Sequence, residues 1–138
     1  MKQHTTNYKN TFIEVAEDCP TEIGEVPKST GEKKTIAEMQ FEILQNNPYK
    51  FTSDDVLFQV FADRKDLIES EYQLARETFF SKGQACFRAS PLTKRFGIGV
   101  HSDNEGKIAI YGHESLEYER FVNDDSINKV KAMRTSRK

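Results

Sequence analysis

The sequence predicts an α+β domain: an antiparallel sheet with a β-hairpin and three to four helices packed on one face. Three observations lead there. Strand-like segments stand at residues 11–16 and 128–134, and helical patterns cluster between them at residues 35–82. The run 98–111 alternates about a turn-forming centre. Helices grouped between strands favour segregated α+β architecture over a parallel α/β sheet.

Residues 1–9 are polar and without an apolar anchor, so they are expected to fray. In TFIEVA, Phe12 and Glu14 alternate with Ile13 and Val15, the period of a strand. Residues 17–34 are charged and carry Pro20, Gly24, Pro27 and Gly31, which reads as a long loop of the kind that can cover a site.

Residues 35–46 alternate as a strand would, but Thr35 followed by Glu38 is a capping-box pattern and Ala, Met, Glu, Gln and Leu are good helix formers. A helix therefore starts here and stops at Asn47 and Pro48. Thr52 or Ser53 caps a second helix, with Asp54 and Asp55 in its first turn and Val56, Leu57, Val60 and Phe61 as its apolar face. Those aspartates are read as helix-start residues rather than an acid–base pair. A third helix spans 69–82, with Tyr72, Ala75 and Phe79 inward and Gly83 ending it in the left-handed conformation. Residues 84–89 read as a strand, and Ser90 with Pro91 as the N-cap and first residue of a short helix through Lys94.

In the hairpin, Asp103, Asn104 and Gly106 supply turn chemistry. A loop at 102–106 pairs His101 with Lys107, Val100 with Ile108 and Ile98 with Ile110, placing all four aliphatics on one face. Gly97, Gly99 and His101 then lie beside Lys107, Ala109 and Tyr111 on the other face, which is shallow. A helix at 115–123 with Leu116, Tyr118, Phe121 and Val122 partly inward, a last strand at 128–134 whose weak alternation leaves a continued helix as the alternative, and a mobile tail at 135–138 complete the chain.

The 138 residues, 36% hydrophobic and 30% charged, suit one domain with one core. Cys19 and Cys86 form no CxxC pair and the N-terminus has no apolar signal region, so a reduced, cytoplasmic protein is expected. No apolar run reaches the roughly 20 residues of a membrane span. Residues 1–81 hold 9 Lys+Arg against 15 Asp+Glu, and residues 82–138 hold 11 against 7. The basic C-terminal part, with Lys129, Lys131, Arg134, Arg137 and Lys138, could face nucleic acid, but a pI near 5.9 argues against a general duplex binder.

Chemistry concentrates in SKGQACFRASPLTKRFGIGVH, residues 81–101. Arg88 offers a bidentate fork, Ser90 a hydroxyl and Lys94 and Arg95 further positive charge, and with His101 and Tyr111 these are the candidate residues for a small anionic ligand such as a phosphate or carboxylate. Cys86 with His101 or His113 as base is a candidate nucleophile–base pair, against which stands the ordinary buried thiol. No metal is expected, since His101, His113 and Cys86 have neither HxxxH nor paired-Cys spacing. GxGxxG before a helix, GxxxxGK[ST] and GxSxG are absent, so no cofactor is called for.

The same run, preceded by NPYKFTSDDVLF and followed by NEGKIAIY, resembles a family of small bacterial proteins known only as a domain of unknown function. The likeness extends from KNTFIEV to KAMRTSR. It implies a single small intracellular domain and supplies no activity, cofactor or catalytic residue. The expectation is a binder of a small anionic or phosphorylated ligand, with a Cys86/His101 enzyme or a protein-interaction module as alternatives. Nothing in the sequence sets the oligomeric state.

Overall fold

The computed structural model describes residues 2–29 and 31–135. Four strands, β1 (Thr11–Glu14), β2 (Ile98–Ser102), β3 (Ile108–Gly112) and β4 (Asn128–Lys131), form one sheet in the order β3-β2-β1-β4. The helices are α1 (Ile36–Asn46), α2 (Ser53–Arg64), α3 (Glu69–Phe79), α4 (Pro91–Lys94) and α5 (Leu116–Asn123). The fold is α+β and the sheet mostly antiparallel, with one parallel pair, β1 and β4. That pair follows from connectivity: β3 and β4 point the same way, so α5 is a crossover helix, and a strand reached by a crossover returns parallel.

Alternation along the strands divides the apolar residues between two faces. Ile13, Ile98, Val100 and Ile108 pack with Ala37 and Leu44 of α1, Val56 of α2 and Leu92 of α4. Phe12 and Val15 pack with Tyr118 of α5 on the other face. A third cluster, Phe58, Ala62 and Phe80, docks α3 on α2. Phe12, Leu92 and Ile108 have no exposed surface, and burying each such side chain stabilises by about 1.5–3 kcal/mol.

Local chemistry sets the helix starts. Thr35 Oγ1 accepts from Glu38 N at 3.1 Å while the Glu38 carboxylate accepts from Thr35 N at 3.2 Å. Thr52 and Asp55 repeat the arrangement at 3.1 Å in both directions. Ser90 and Ser115 cap α4 and α5. Asp54 does more than start a helix: its carboxylate accepts from Thr5 Oγ1, Thr6 N and Thr6 Oγ1, each at 2.7 Å. Together with His4 N donating to Phe80 O, this ties the segment that its polarity would leave to fray onto α2 and α3. Thr135, at the start of the expected mobile tail, is bonded to Asp18, and residues 136–138, with Arg137 and Lys138, lie outside the described residues.

The hairpin keeps the expected faces but not the expected register. Val100 pairs with Ile110, His101 with Ala109 and Ile98 with Gly112, a shift of two residues. Asp103 is the cause. Its Oδ1 accepts from Glu105 N and Lys107 N at 2.9 Å, and its own N–H bonds Lys107 O, so the turn closes over 103–107 with Gly106 at φ +82°. A shift of two preserves side-chain parity, so the aliphatics still share the core face.

The shallow glycine face is filled. A Cβ on Gly99 would stand 2.6 Å from the Phe12 ring and 2.7 Å from that of Tyr118, which meet edge to face at 4.8 Å. Tyr118 Oη accepts from Val15 N at 2.9 Å, and burial pushes the phenol pKa up to about 12.

Three further expectations fail. Residues 84–89 are no strand; they form an extended connection and a single 3₁₀ turn at Phe87–Ala89, since β4 and residues 49–52 already hold the sheet's flanks. Gly83 does not take positive φ, because α3 ends at Phe79, where the Gln84 side chain reaches back to the Phe79 carbonyl at 2.8 Å. Leu116, expected partly inward, is 71% exposed. The long loop 17–34 is fastened near the β3 end, with Gly24 N to Glu114 Oε1 and Glu25 N to Phe96 O both at 2.8 Å. Among the described residues no helix is long and apolar enough to cross a membrane.

Candidate functional site

A cleft of about 350 Å³ opens where α1, α2 and the end of α3 meet the segment leading into α4. It exists because the connection from Gln84 to Ala89 places small residues, Ala85 and Ala89, opposite the larger Leu57, Val60 and Phe61 of α2. Its size is within the range of small-molecule sites, and its walls are mainly apolar with a few polar groups, as such sites require. Cys86 and Ser90 line it, as do Gln40 of α1 and Arg64 in the last turn of α2.

The polar floor is specific. Ser90 Oγ accepts from Leu92 N at 3.1 Å and donates to Gln40 Oε1 at 2.6 Å, so its hydroxyl is committed to capping α4 and holding Gln40. Gln40 is 3% exposed, and its Nε2 makes no hydrogen bond among the described residues. No side-chain polar atom there is both sealed from solvent and unpaired, so this amide opens onto the cleft. A donor that opens onto the cleft in this way can bond an acceptor placed there in exchange for water. Arg64 is exposed and in no ion pair among the described residues, whereas Arg76, on the other side of α3, is bound to Asp55 at 2.9 Å.

The remaining expected site residues disperse. Arg88 stands outside the cleft lining: its Nε donates to Lys131 O at 2.7 Å and its carbonyl accepts from Met133 N, so it joins the 3₁₀ turn to β4. Its charge also bears on Tyr8, whose hydroxyl lies 3.7 Å from Cys86 Sγ. Burial raises the Tyr8 pKa, the Cys86 contact adds to this, and Arg88 opposes it. Lys94 and Arg95, at the end of α4, do not line the cleft either, and Arg95 is exposed. A four-residue helix, α4 offers no anion site at its N-terminus beyond the Ser90 cap.

His101 and Tyr111 do come together, on the α5 face. Residues 49–51 run along the outer edge of β3, with Tyr49 N to Ile108 O and Ile108 N to Phe51 O at 2.9 Å. From there Tyr49, held at φ +58°, reaches round the edge. Its hydroxyl is 2.8 Å from both His101 Nδ1 and the Tyr111 hydroxyl, and the His101 ring stacks on Phe121 at 4.2 Å. Burial lowers the His101 pKa, with Asp103 and Asp124 acting in the opposite sense, and burial raises that of Tyr49. The Tyr49 hydroxyl thus links His101 and Tyr111 in one chain, with the donor at each contact set by the His101 tautomer. Tyr111 also borders a hollow of about 170 Å³, below the usual size of an organic-ligand site.

His101 pairs with Phe12 and stacks on α5, while Cys86 lines the cleft against α1 and α2. The sheet stands between them, so they do not form a nucleophile–base pair. Among the described residues no group of three or more His, Cys, Asp or Glu is placed to hold a metal ion. Sequence reasoning passed over Gln40 and Arg64. The signal for Gln40 was present, a polar residue in the stripe Ala37, Gln40, Leu44 at helical core spacing; Arg64 carried none.

No curated protein and no solved structure matches the chain. A family model does match, over residues 3–138: with the same fold-spanning extent as the sheet, helices and cleft just described, the chain belongs to a family of unknown function, DUF6157.

Proposed function

We propose that this protein binds a small anionic ligand, a carboxylate or phosphate, in the cleft bounded by α1, α2, the end of α3 and residues 84–91. The observation that carries the reading is the Gln40 amide, nearly wholly buried and with an unpaired Nε2 facing the cleft. Arg64 at the same cleft supplies the opposite charge and can form a bidentate pair with a carboxylate or phosphate. Arg88, Lys94 and Arg95 have no part in the contact, nor have His101 and Tyr111. Cys86 serves as wall, and the free thiols of Cys19 and Cys86 suit a reducing cytoplasm.

Thermal unfolding against butyrate, benzoate, inorganic phosphate, nucleotides and sugar phosphates tests this. A ligand at about a hundred times its Kd stabilises by roughly 2.7 kcal/mol, several degrees for a domain of this length. Arg64→Ala and Gln40→Glu, the latter keeping the Ser90 bond while presenting a carboxylate oxygen to the cleft, are expected to abolish the shift. Arg88→Ala is expected to retain it. No shift with any of these anions, or a shift lost only in Arg88→Ala, would refute the assignment.

A further inference from the structure

Beyond the cleft lies a broader trough of about 810 Å³ between the end of α2 and the outer side of α3. Phe61, Phe79 and Gln84 line both. The trough floor adds Leu67, Leu74 and Ala75, and α3 has no buried residue of its own. Leu74 is 70% exposed and the nearby Ile68 63%. Apolar surface gathered in this way marks a place where something apolar is bound.

The charge around it runs against the local trend. Within the acidic stretch 1–81, Arg64 at the cleft and Lys65 at the trough are exposed cations, and Lys82 adds a third; none forms an ion pair among the described residues. Glu71 also lines the trough, its carboxylate accepting from Ile68 N at 2.9 Å, and its single charge is outnumbered by those of Lys65 and Lys82. Lysines in this setting can lay their methylene stems along an apolar ligand and keep their ammonium groups in water. Their field favours a negative ligand over a neutral or positive one.

We infer that the ligand is a free carboxylic acid with an unbranched acyl chain, its carboxylate at Gln40 and Arg64 and its chain passing over Phe61 and Phe79 into the trough beside Leu74. The inference rests on the anion-binding reading of the cleft and adds the chemical class of its ligand. A carboxylate alone would leave the trough empty; the acyl chain covers it.

Isothermal titration of the full chain with butyrate, hexanoate, octanoate and decanoate, each below its micelle-forming concentration, decides the matter. A fully buried methylene tightens binding about fourfold and one left half in water about twofold. The Kd is therefore expected to fall about two- to fourfold per methylene along the series. Leu74→Glu, a change at an exposed position, is expected to flatten that dependence, and Arg64→Ala to weaken every member. Equal affinity for butyrate and decanoate would overturn the acyl chain and leave the cleft reading intact. Absence of binding by the whole series would overturn both. Decanol or decyltrimethylammonium binding as tightly as decanoate, or a chain-length dependence untouched in Leu74→Glu, would also overturn the inference.

Discussion

Tyr49→Phe isolates the hydrogen-bonded chain at the β3 edge. The substitution keeps the ring and the backbone bond to Ile108 and removes one hydroxyl, which takes part in two contacts of 2.8 Å, to His101 Nδ1 and to the Tyr111 hydroxyl. A typical hydrogen bond contributes about 0.5–1.5 kcal/mol net, so the loss is about 1–3 kcal/mol. For a domain of this length that lowers Tm by roughly 3–10 °C. Urea denaturation followed by circular dichroism measures the free energy directly. Tyr111→Phe removes one of the same two bonds, so the double variant is expected to cost about 1 kcal/mol less than the sum of the singles. A Tyr49→Phe cost below about 0.5 kcal/mol, or singles that add within about 0.3 kcal/mol, would refute the chain as a stabilising unit.

Acid sensitivity follows from His101. Burial places its folded-state pKa below the ordinary 6.5, so the unfolded chain takes up the proton first. Its contribution is complete above about pH 6.5 and is lost as pH falls from there through the folded-state value. Wild type is expected to lose more stability between pH 7 and 5 than His101→Phe, and equal losses in denaturant titrations at the two pH values would contradict this. Gly99→Ala forces a methyl group into the Phe12 and Tyr118 rings; overpacking of this kind costs about 1–3 kcal/mol, and an unchanged urea midpoint would show that the rings yield freely. Asp54→Ala releases the N-terminal segment, so amide exchange at Thr6 and His4 should accelerate by at least tenfold while the β2 amides remain protected. Unaltered exchange at Thr6 would mean that the segment is held by other contacts.

Features written in neighbouring residues were legible in the sequence. The Thr35–Glu38 box, the start of α2 at Thr52 or Ser53, the Ser90–Pro91 start and the hairpin faces depend on contacts a few residues apart, and each stands where the pattern put it. What depends on distant partners was not legible. The hairpin register turned on Asp103 bonding two amides at once, and residues 84–89 lost strand character because other segments flank the sheet. The candidate site shows the same division. Cys86 and Ser90 reach the cleft, but Gln40 and Arg64 arrive from helices far away in sequence, and the positive residues after Ser90 point elsewhere. Gln40 could have been suspected from the core stripe of α1; only the packing of α1 against the 84–91 segment tells what it faces.

β1 sits second from one edge of the sheet with partners on both sides, and in synthesis it emerges before either of them. Phe12 meets His101 on one side and Lys129 on the other, so its peptide groups wait in water while α1, α2 and α3 are made with their own internal bonds. The helices can therefore form from local information, but the sheet cannot be completed until the hairpin and β4 have both left the ribosome. Contacts this remote in sequence slow folding. A nascent chain stalled after α5 would hold the hairpin and helices yet expose one side of β1, a surface open to pairing with a second unfinished copy.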